Sequence, residues 1–526
     1  MGWSANFKSR LGRSSVVPRF RLHFMDLNNC NGGDFDIYST GSGNLHIGAG
    51  GPVVNGSRVI PQSWGVSFGG FTVPIVGDIQ EALNTIRKGQ FAELFCSLNG
   101  GGDYQRIAMG QLRTITSGGP VNWSFEFADM LSALQNSHDS RQNVAVGSAN
   151  IELYAPFFYL AGQEVSVTAW NPGTKELTVD NVLVFKRETG QNGIVKLIES
   201  GITKYYTFSS GSVTSSPAGI LQIVNENIYP TSNNDSITVA SAKAYPVAKL
   251  QGYPGHILAK IILSGSSNST YNTYPDDWGA GGDWNGLIDF SDMGDFRSGI
   301  KTASGAAYTW DLIVESPFAS GLRDLCTIAS KVGQWPVWRQ NQLSWRGCTS
   351  LRQATEPSAA EHITESDIFR IERNDIWDTD VSSVVPGVDI LYGIDKTPTE
   401  YSYKIQPAAE SLMSVLPGRI RSQIDGSKLY DGSPYTSGGR SLRSDQASGD
   451  ANRLDDWFQY IHQKITIKTN LRLAGLVPGD IVEVTCRYLY SDAQPIGQSF
   501  QAQRCMVLGV SYSIAEGYCQ VTIATR

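Results

Sequence analysis

Charge is scarce in this chain of 526 residues, of which 17% are Asp, Glu, Lys or Arg, against roughly 25% in an ordinary soluble protein. So thinly charged a surface is expected to meet other protein over much of its area. The balance is acidic, with 42 basic and 49 acidic side chains and a formal net charge of −7. This argues against a nucleic-acid surface held by phosphate contacts, which needs clustered Lys and Arg. Long apolar runs are missing as well, since no stretch approaches the roughly 20 residues of a membrane span. Residues 1–20 carry Lys8, Arg10, Arg13 and Arg19 without an apolar segment, so no secretory signal is expected.

Paired cysteines are lacking too. Cys30, Cys96, Cys326, Cys348, Cys486, Cys505 and Cys519 are odd in number, scattered and free of C-x-x-C spacing. That argues for reduced, buried thiols made in a reducing compartment, and against a disulfide framework or a zinc site. His23, His46, His138, His256, His362 and His462 stand far apart with no second ligand type at metal spacing. There is no G-x-S-x-G elbow, no Walker Gly-Lys-Ser/Thr, no G-x-G-x-x-G and no H-E-x-x-H. The glycine-rich stretch 41–51 lacks the preceding strand and following helix of a phosphate cradle, and reads as a loop. No fixed-period repeat is present. No catalytic residue, cofactor or metal site is therefore expected.

What the chain does have is 55 Gly, 22 Pro and 41% hydrophobic residues, enough turns and enough apolar mass for three to five modules of about 100–200 residues each. The pattern is mainly β within a multidomain α+β protein: small tube-like β-barrels with short plugging helices and one strand-helix-strand unit. Residues 1–150 form an N-terminal barrel-like module. In it Trp64, Val66 and Phe68 alternate, a capped helix spans 78–88, and strands at 91–98, 106–115 and 121–127 run into a short helix at 129–134. Residues 151–248 form a β-sheet module with strands at 182–185, 194–198, 205–208 and 220–224 and a turn at Asn171-Pro172-Gly173. Residues 249–306 hold a helix around Ile257, Leu258, Ile261 and Ile262 and then an Asp/Trp-rich loop.

The unit 307–362 has the clearest punctuation. A strand at 308–314 is followed by Ser316-Pro317 as a helix start, an apolar face of Leu322, Leu325, Ile328, Ala329 and Val332, and Gly333 as the stop. A hairpin carrying Trp335, Val337 and Trp338, then Leu343 and Trp345, turns at Asn341-Gln342. Residues 363–452 are connecting strands plus a flexible polar arm at 423–450, after which Leu454, Trp457, Phe458 and Ile461 restart a helical face. Residues 453–526 form a C-terminal β-barrel module. There Ile465, Ile467, Leu471 and Leu473 alternate, Pro478-Gly479-Asp480 turns, and a closing hairpin crosses Glu516-Gly517.

Two clusters invite a chemical reading. Asp276, Asp277, Asp283, Asp289, Asp292 and Asp295 are interleaved with Trp278, Trp284 and Phe290 across 276–295, and acids beside indoles suit glycan cleavage or ion binding. Their spacing fits neither an EF-hand nor one helix face, so a Gly/Asp-rich loop with anchoring aromatics is the expectation. Trp335, Trp338 and Trp345 are expected in the core or at a subunit interface.

The order of the pieces resembles the tail hub (baseplate hub) proteins of long-tailed bacteriophages. The resemblance is carried by Trp64-Gly65-Val66-Ser67-Phe68, the helix at 78–88, Gly110-Gln111-Leu112, Tyr253-Pro254-Gly255-His256-Ile257-Leu258, Tyr274-Pro275-Asp276-Asp277-Trp278-Gly279 and the closing Pro478-Gly479-Asp480 module. It implies a homotrimeric structural virion protein, made in the host cytoplasm and placed at the phage tail tip. Its two barrels per subunit would make a pseudo-sixfold ring under the tail tube. Its partners would be the tail tube protein, the distal tail protein and a spike or fibre protein, with DNA passing through the lumen without specific binding. Two other readings stay open: a carbohydrate-binding or glycan-cleaving tail protein using 276–295, and a distal tail or tail-tube subunit.

Overall fold

The computed structural model describes residues 3–11, 17–25, 27–28, 34–40, 44–60, 64–98, 103–129, 143–146, 149–152, 162–185, 193–215, 217–225, 237–252, 254–255, 257–258, 310–314, 318–339, 342–348, 359–375, 388–392, 403–405, 422–425, 442–458, 462–490 and 498–525. It is mostly strand, at 61%, with few helices and one closed six-stranded barrel.

The barrel falls in the middle of the chain. Val165–Asn171 pairs with Glu176–Val179, and the order continues through Gly219–Asn225, Ile202–Val213, Gly193–Glu199 and Ala242–Gly252. The ring closes where Val165 and Ser166 meet Ala244 and Lys243. The first hairpin is set by Asn171, whose Oδ1 accepts from the backbone N–H of Gly173 at 3.0 Å and of Thr174 at 3.3 Å, an Asx turn. Val167, Leu177, Val195, Leu197, Phe208 and Leu221 fill the interior, so the barrel is a packed core rather than a bore. The run at 182–185 reads as a strand from its apolar residues, but Val182–Val184 is a 3-10 turn. Its side chains plug the barrel. Val182 sits where a Cβ on Gly219 would be 2.3 Å away, and the Phe185 ring meets Phe208 edge-on at 6.1 Å. Ala242–Gly252 runs on beyond the barrel and pairs with Trp310–Val314, handing the chain to the central unit.

That unit is built as the spacing indicates. Helix Phe318–Lys331 buries Leu325, Ile328 and Ala329, followed by buried Val332, and Gly333 takes φ +67 to end it. The hairpin Gln334–Arg339 with Gln342–Gly347 follows, but Gln342, expected in the turn with Asn341, lies in the second strand opposite Arg339, so the register differs from the one a turn at Asn341-Gln342 would give.

Two smaller sheets of three strands are described, and the largest element is a sheet of 15 strands. Its main path runs Ile368–Asp375, Gln463–Thr469, Tyr518–Thr525, Ser499–Ser513, Val53–Ile60, Gly70–Gly77, Asn122–Asp129, Tyr104–Gly119, Phe91–Ser97, Arg19–Phe24, Phe35–Tyr38. Sequence patterning divides this material into separate modules at 1–150 and 453–526, yet Arg58, Asn55, Val54 and Val53 pair directly with Gly509, Ser511, Tyr512 and Ser513. One apolar cluster spans both halves, with Phe24, Phe71 and Leu94 from one and Ile467, Val484 and Val521 from the other. A sheet edge of one half is covered by the edge of the other, which removes two exposed ladders at once. Gly56 makes the approach feasible, since a Cβ there would lie 2.7 Å from the Val510 carbonyl oxygen.

Local departures from the expected elements have identifiable causes. The helix expected at 78–88 is Gln80–Thr85. Asp78 Oδ1 accepts from the Gln80 N–H at 2.9 Å, and Ile86 turns extended at φ −86, ψ 155. Trp64 sits at φ 50, so its strand shrinks to Gly65–Ser67. Leu471 and Leu473 lie in a 3-10 helix, Leu471–Gly475, capped by Asn470, where both are buried. Of the polar arm at 423–450, the segment from Leu442 onward belongs to a helix, Leu442–Phe458. Ala447, Asp450, Ala451, Leu454 and Trp457 form its buried face, and the small and charged residues among them hide the helical period. The helices expected at 129–134 and across 257–262 lie wholly or largely outside the described residues, and Asp129 itself ends a strand.

Candidate assembly surface

Among the described residues no group of three or more His, Cys, Asp or Glu side chains is placed to hold a metal ion. The Asp/Trp cluster at 276–295 lies outside them, as do Cys30, His138 and His256. His23 Nδ1 is 3.0 Å from Asp36 Oδ1, and His362 Nε2 is 2.9 Å from Thr485 Oγ1. Cys96, Cys326, Cys348, Cys486, Cys505 and Cys519 are free thiols. Burial pushes the Cys519 thiol up to about 12, and raises Cys96 and Cys505 as well, so these are inert apolar fillers.

The tryptophans form an internal clasp rather than a ligand surface. Trp335 is fully buried and stacks on Trp64 at 5.6 Å with rings 11° apart. Its Nε1 donates to the Pro478 carbonyl at 3.1 Å. Trp345 Nε1 donates to Gln334 Oε1 at 2.9 Å, and Trp310 meets Trp345 edge-on at 5.9 Å. Trp457, from the helix Leu442–Phe458, closes on Trp64 at 5.1 Å. One hairpin thereby ties together a residue from each half of the large sheet and the last helix. Two buried ion pairs lie beside it. Arg346 Nε donates to Asp480 Oδ1 at 3.0 Å, and Arg453 Nη2 to Asp450 Oδ1 at 2.5 Å.

The six strands of the C-terminal half curl until the first and last are neighbours in the chain. Glu361–Thr364 pairs with Ile481–Tyr490 at one end, and Ile368–Asp375 follows after the single turn Glu365–Asp367. Asp367 holds this return. Its carboxylate accepts from the Thr364 N–H at 2.9 Å and Asn470 Nδ2 at 3.0 Å, with Arg472 Nη2 at 3.1 Å. Burial pushes its carboxyl up, but these hydrogen bonds and the Arg472 charge outweigh burial and hold it below the ordinary carboxylate range. Asp367→Asn is expected to cost about 1–3 kcal/mol at neutral pH. A carboxylate depressed in the folded state stabilises above its unfolded value of about 3.9 and loses that as pH falls through the folded one. The gap between wild type and variant in urea midpoints should therefore be full at pH 7 and narrow in acid.

The main path of the large sheet ends at Phe35–Tyr38 and Ile368–Asp375. The first carries Asp34 and Asp36, the second Arg370 and Arg373. Phe369 is 59% exposed on the second, and the strand Ile481–Tyr490 exposes Tyr488 to 59% and Tyr490 to 52%. Arg487 ties that strand to the turn Glu365–Asp367, its backbone N–H donating to Glu365 Oε1 at 2.7 Å, and its guanidinium lies 4.7 Å from the Tyr488 ring centroid. Aromatic groups interleaved with Arg are the usual make-up of a protein-protein contact. Sequence patterning singles out none of these three aromatics, because an exposed aromatic in a strand has the same local signature as a buried one.

No family model matches the chain, and no curated protein matches it. Solved structures do. The tail protein from Neisseria meningitidis MC58 is 11% identical, covering 96% of this chain and 96% of that one at a TM-score of 0.37. The 43 kDa tail protein of prophage MuSo2 from Shewanella oneidensis is 8% identical, covering 97% and 98% at 0.37. Prophage tail protein gp18 from Listeria monocytogenes EGD-e is 9% identical, covering 96% and 94% at 0.36. Likenesses of this size decide neither relationship nor function.

Proposed function

We propose that this chain is a structural virion protein, three copies of which form the hub closing the distal end of a phage tail tube. The hub joins the tube and the distal tail ring to a central spike or fibre and encloses part of the DNA exit channel. The observation that carries this is the seam between Val53–Ile60 and Ser499–Ser513, through which two half-sheets lie side by side in one chain. Three chains would then present six half-sheets to a sixfold tube. The two ends of the main sheet path, Phe35–Tyr38 and Ile368–Asp375, suit head-to-tail contacts, in which different faces of one subunit meet. The low charge and acidic balance suit broad protein contacts and a lumen to which DNA does not stick. The packed interior of the six-stranded barrel leaves the channel to the space between copies. Residues 1–150 and 453–526 would supply the tube-like halves, with 151–248 outside them.

The purified chain is expected to sediment at three times the 57.2 kDa of one copy. Phe369→Asp, on an exposed position, should shift that species toward monomer by about tenfold in dissociation constant or more, a loss of at least about 1.4 kcal/mol. Six copies would make the chain a tube or distal tail subunit instead. A stable monomer that cleaves a sugar polymer would overturn the proposal.

A further inference from the structure

His462 stands between the helix Leu442–Phe458 and the strand Gln463–Thr469 and is 6% exposed. Its Nδ1 lies 2.8 Å from the Thr525 carbonyl oxygen and its Nε2 2.9 Å from the Trp457 carbonyl oxygen. Both partners can only accept. A neutral imidazole has a single N–H, so in that form one ring nitrogen would turn its lone pair on a carbonyl, whereas an imidazolium donates to both. The Trp457 carbonyl belongs to the last turn of the helix, where four carbonyls lack an intrahelical partner and the helix dipole is negative. The imidazole also lies flat on the Trp457 indole, with centroids 3.9 Å apart and planes at 19°, the placement in which a cation is attracted to a ring face. Burial alone favours the neutral ring. Two acceptors, a helix C-terminus and an aromatic face act the other way.

We propose that His462 is held as an imidazolium that latches the C-terminal end of this helix to the Thr525 end of the closing hairpin, and that loss of its proton opens the latch. Among the described residues, the charged and titratable groups of the elements that meet at His462 are of types that do not titrate near neutrality. On the helix Asp450 is paired with Arg453, with Asp455 and Asp456 following in sequence. On the next strand Lys464 stands in register with Asp375. Beside Thr525 is Cys505, whose thiol burial pushes up. Of these residue types only His ordinarily titrates between about pH 5 and 8. A histidine whose folded value is raised contributes its full stability below the unfolded value of about 6.5 and loses it as pH rises through the folded one. The helix that closes the tryptophan clasp is therefore fastened in mild acid and loosened in base.

The test is a pH titration of the full chain with 15N-labelled histidine, using His462→Gln to assign the His462 ring signals. The expected result is an imidazolium with two exchange-protected ring N–H groups and a midpoint above about 6.5. Thermal unfolding of the wild type should fall by about 2–4 °C relative to His462→Gln between pH 6 and 9. A His462 ring that is a neutral single tautomer at pH 6 overturns the proposal, and so does an identical pH slope in the two proteins. Should His462→Gln fail to fold, the wild-type titration decides alone. One histidine with both ring N–H groups protected and a raised midpoint supports the latch, and six histidines all titrating at or below about 6.5 defeat it.

Discussion

Trp335→Ala is expected to remove about 3–5 kcal/mol of stability. The side chain is fully buried and makes three different kinds of contact at once. It stacks on Trp64, its Nε1 donates to the Pro478 carbonyl, and its ring packs under Gly479, where an added Cβ would be 3.2 Å from its Cζ2. Truncation leaves a cavity, an orphaned carbonyl and an unstacked indole, and the clasp among 64, 335, 457 and 478 opens. Trp335→Phe keeps an aromatic ring and gives up the N–H, so about 1–3 kcal/mol is expected there. Urea unfolding followed by circular dichroism measures both. A loss below about 1 kcal/mol for the alanine variant would mean that the hairpin does not bridge the two halves.

Asp480→Ala is expected to cost about 3–5 kcal/mol by leaving the Arg346 guanidinium without its anion in a buried site. Arg346 and Asp480 side chains are 10% and 6% exposed. Asp480 has a second task, because its Oδ2 accepts from the Val477 N–H at 3.0 Å and so closes the Leu476–Asp480 turn. Asp480→Asn retains an oxygen for that turn while removing the charge, and Arg346→Met paired with it removes the cation as well. The double variant should therefore recover most of what either single variant loses, since a matched neutral pair spares the desolvation of a lone ion. If the double variant is as unstable as Asp480→Ala although its turn oxygen is kept, the attraction within the ion pair, rather than the cost of a lone guanidinium, carries the effect.

The elements that were legible beforehand are those whose cause is local. The Ser316-Pro317 start lies outside the described residues, and the hairpin Gln334–Arg339 with Gln342–Gly347 is buried along most of both strands, but Gly333 ends the helix Phe318–Lys331 because a left-handed stop acts within a few residues. Pro478-Gly479-Asp480 is a turn for the same reason, with Gly479 at φ +99. The misread pieces depend on partners far away. Val182–Val184 has the composition of a strand but finds a barrel mouth to fill. Leu442–Phe458 begins with Ser, Arg, Asp and Gly, and becomes helical against partners elsewhere in the chain, as the hydrogen bond from Arg453 Nη2 to the Val332 carbonyl at 2.6 Å illustrates. The seam at Val53–Ile60 is invisible to any pattern of period two, because pairing between strands carries no mark in either strand alone. The exposed aromatics Phe369, Tyr488 and Tyr490 emerge from the fold alone, since composition speaks of the surface as a whole and names no residue.

The seam also sets an order of events on the ribosome. Tyr512 donates to the Ile107 carbonyl across a separation of 405 residues, which at about 5–20 residues per second is about 20–80 s of synthesis. The middle barrel closes within its own stretch of chain and can finish early, while the Val53–Ile60 edge waits with its ladder open. That interval is when nascent copies are most prone to pair with one another, so slow translation through the middle of the message should lower the yield of soluble protein more than slow translation near its end.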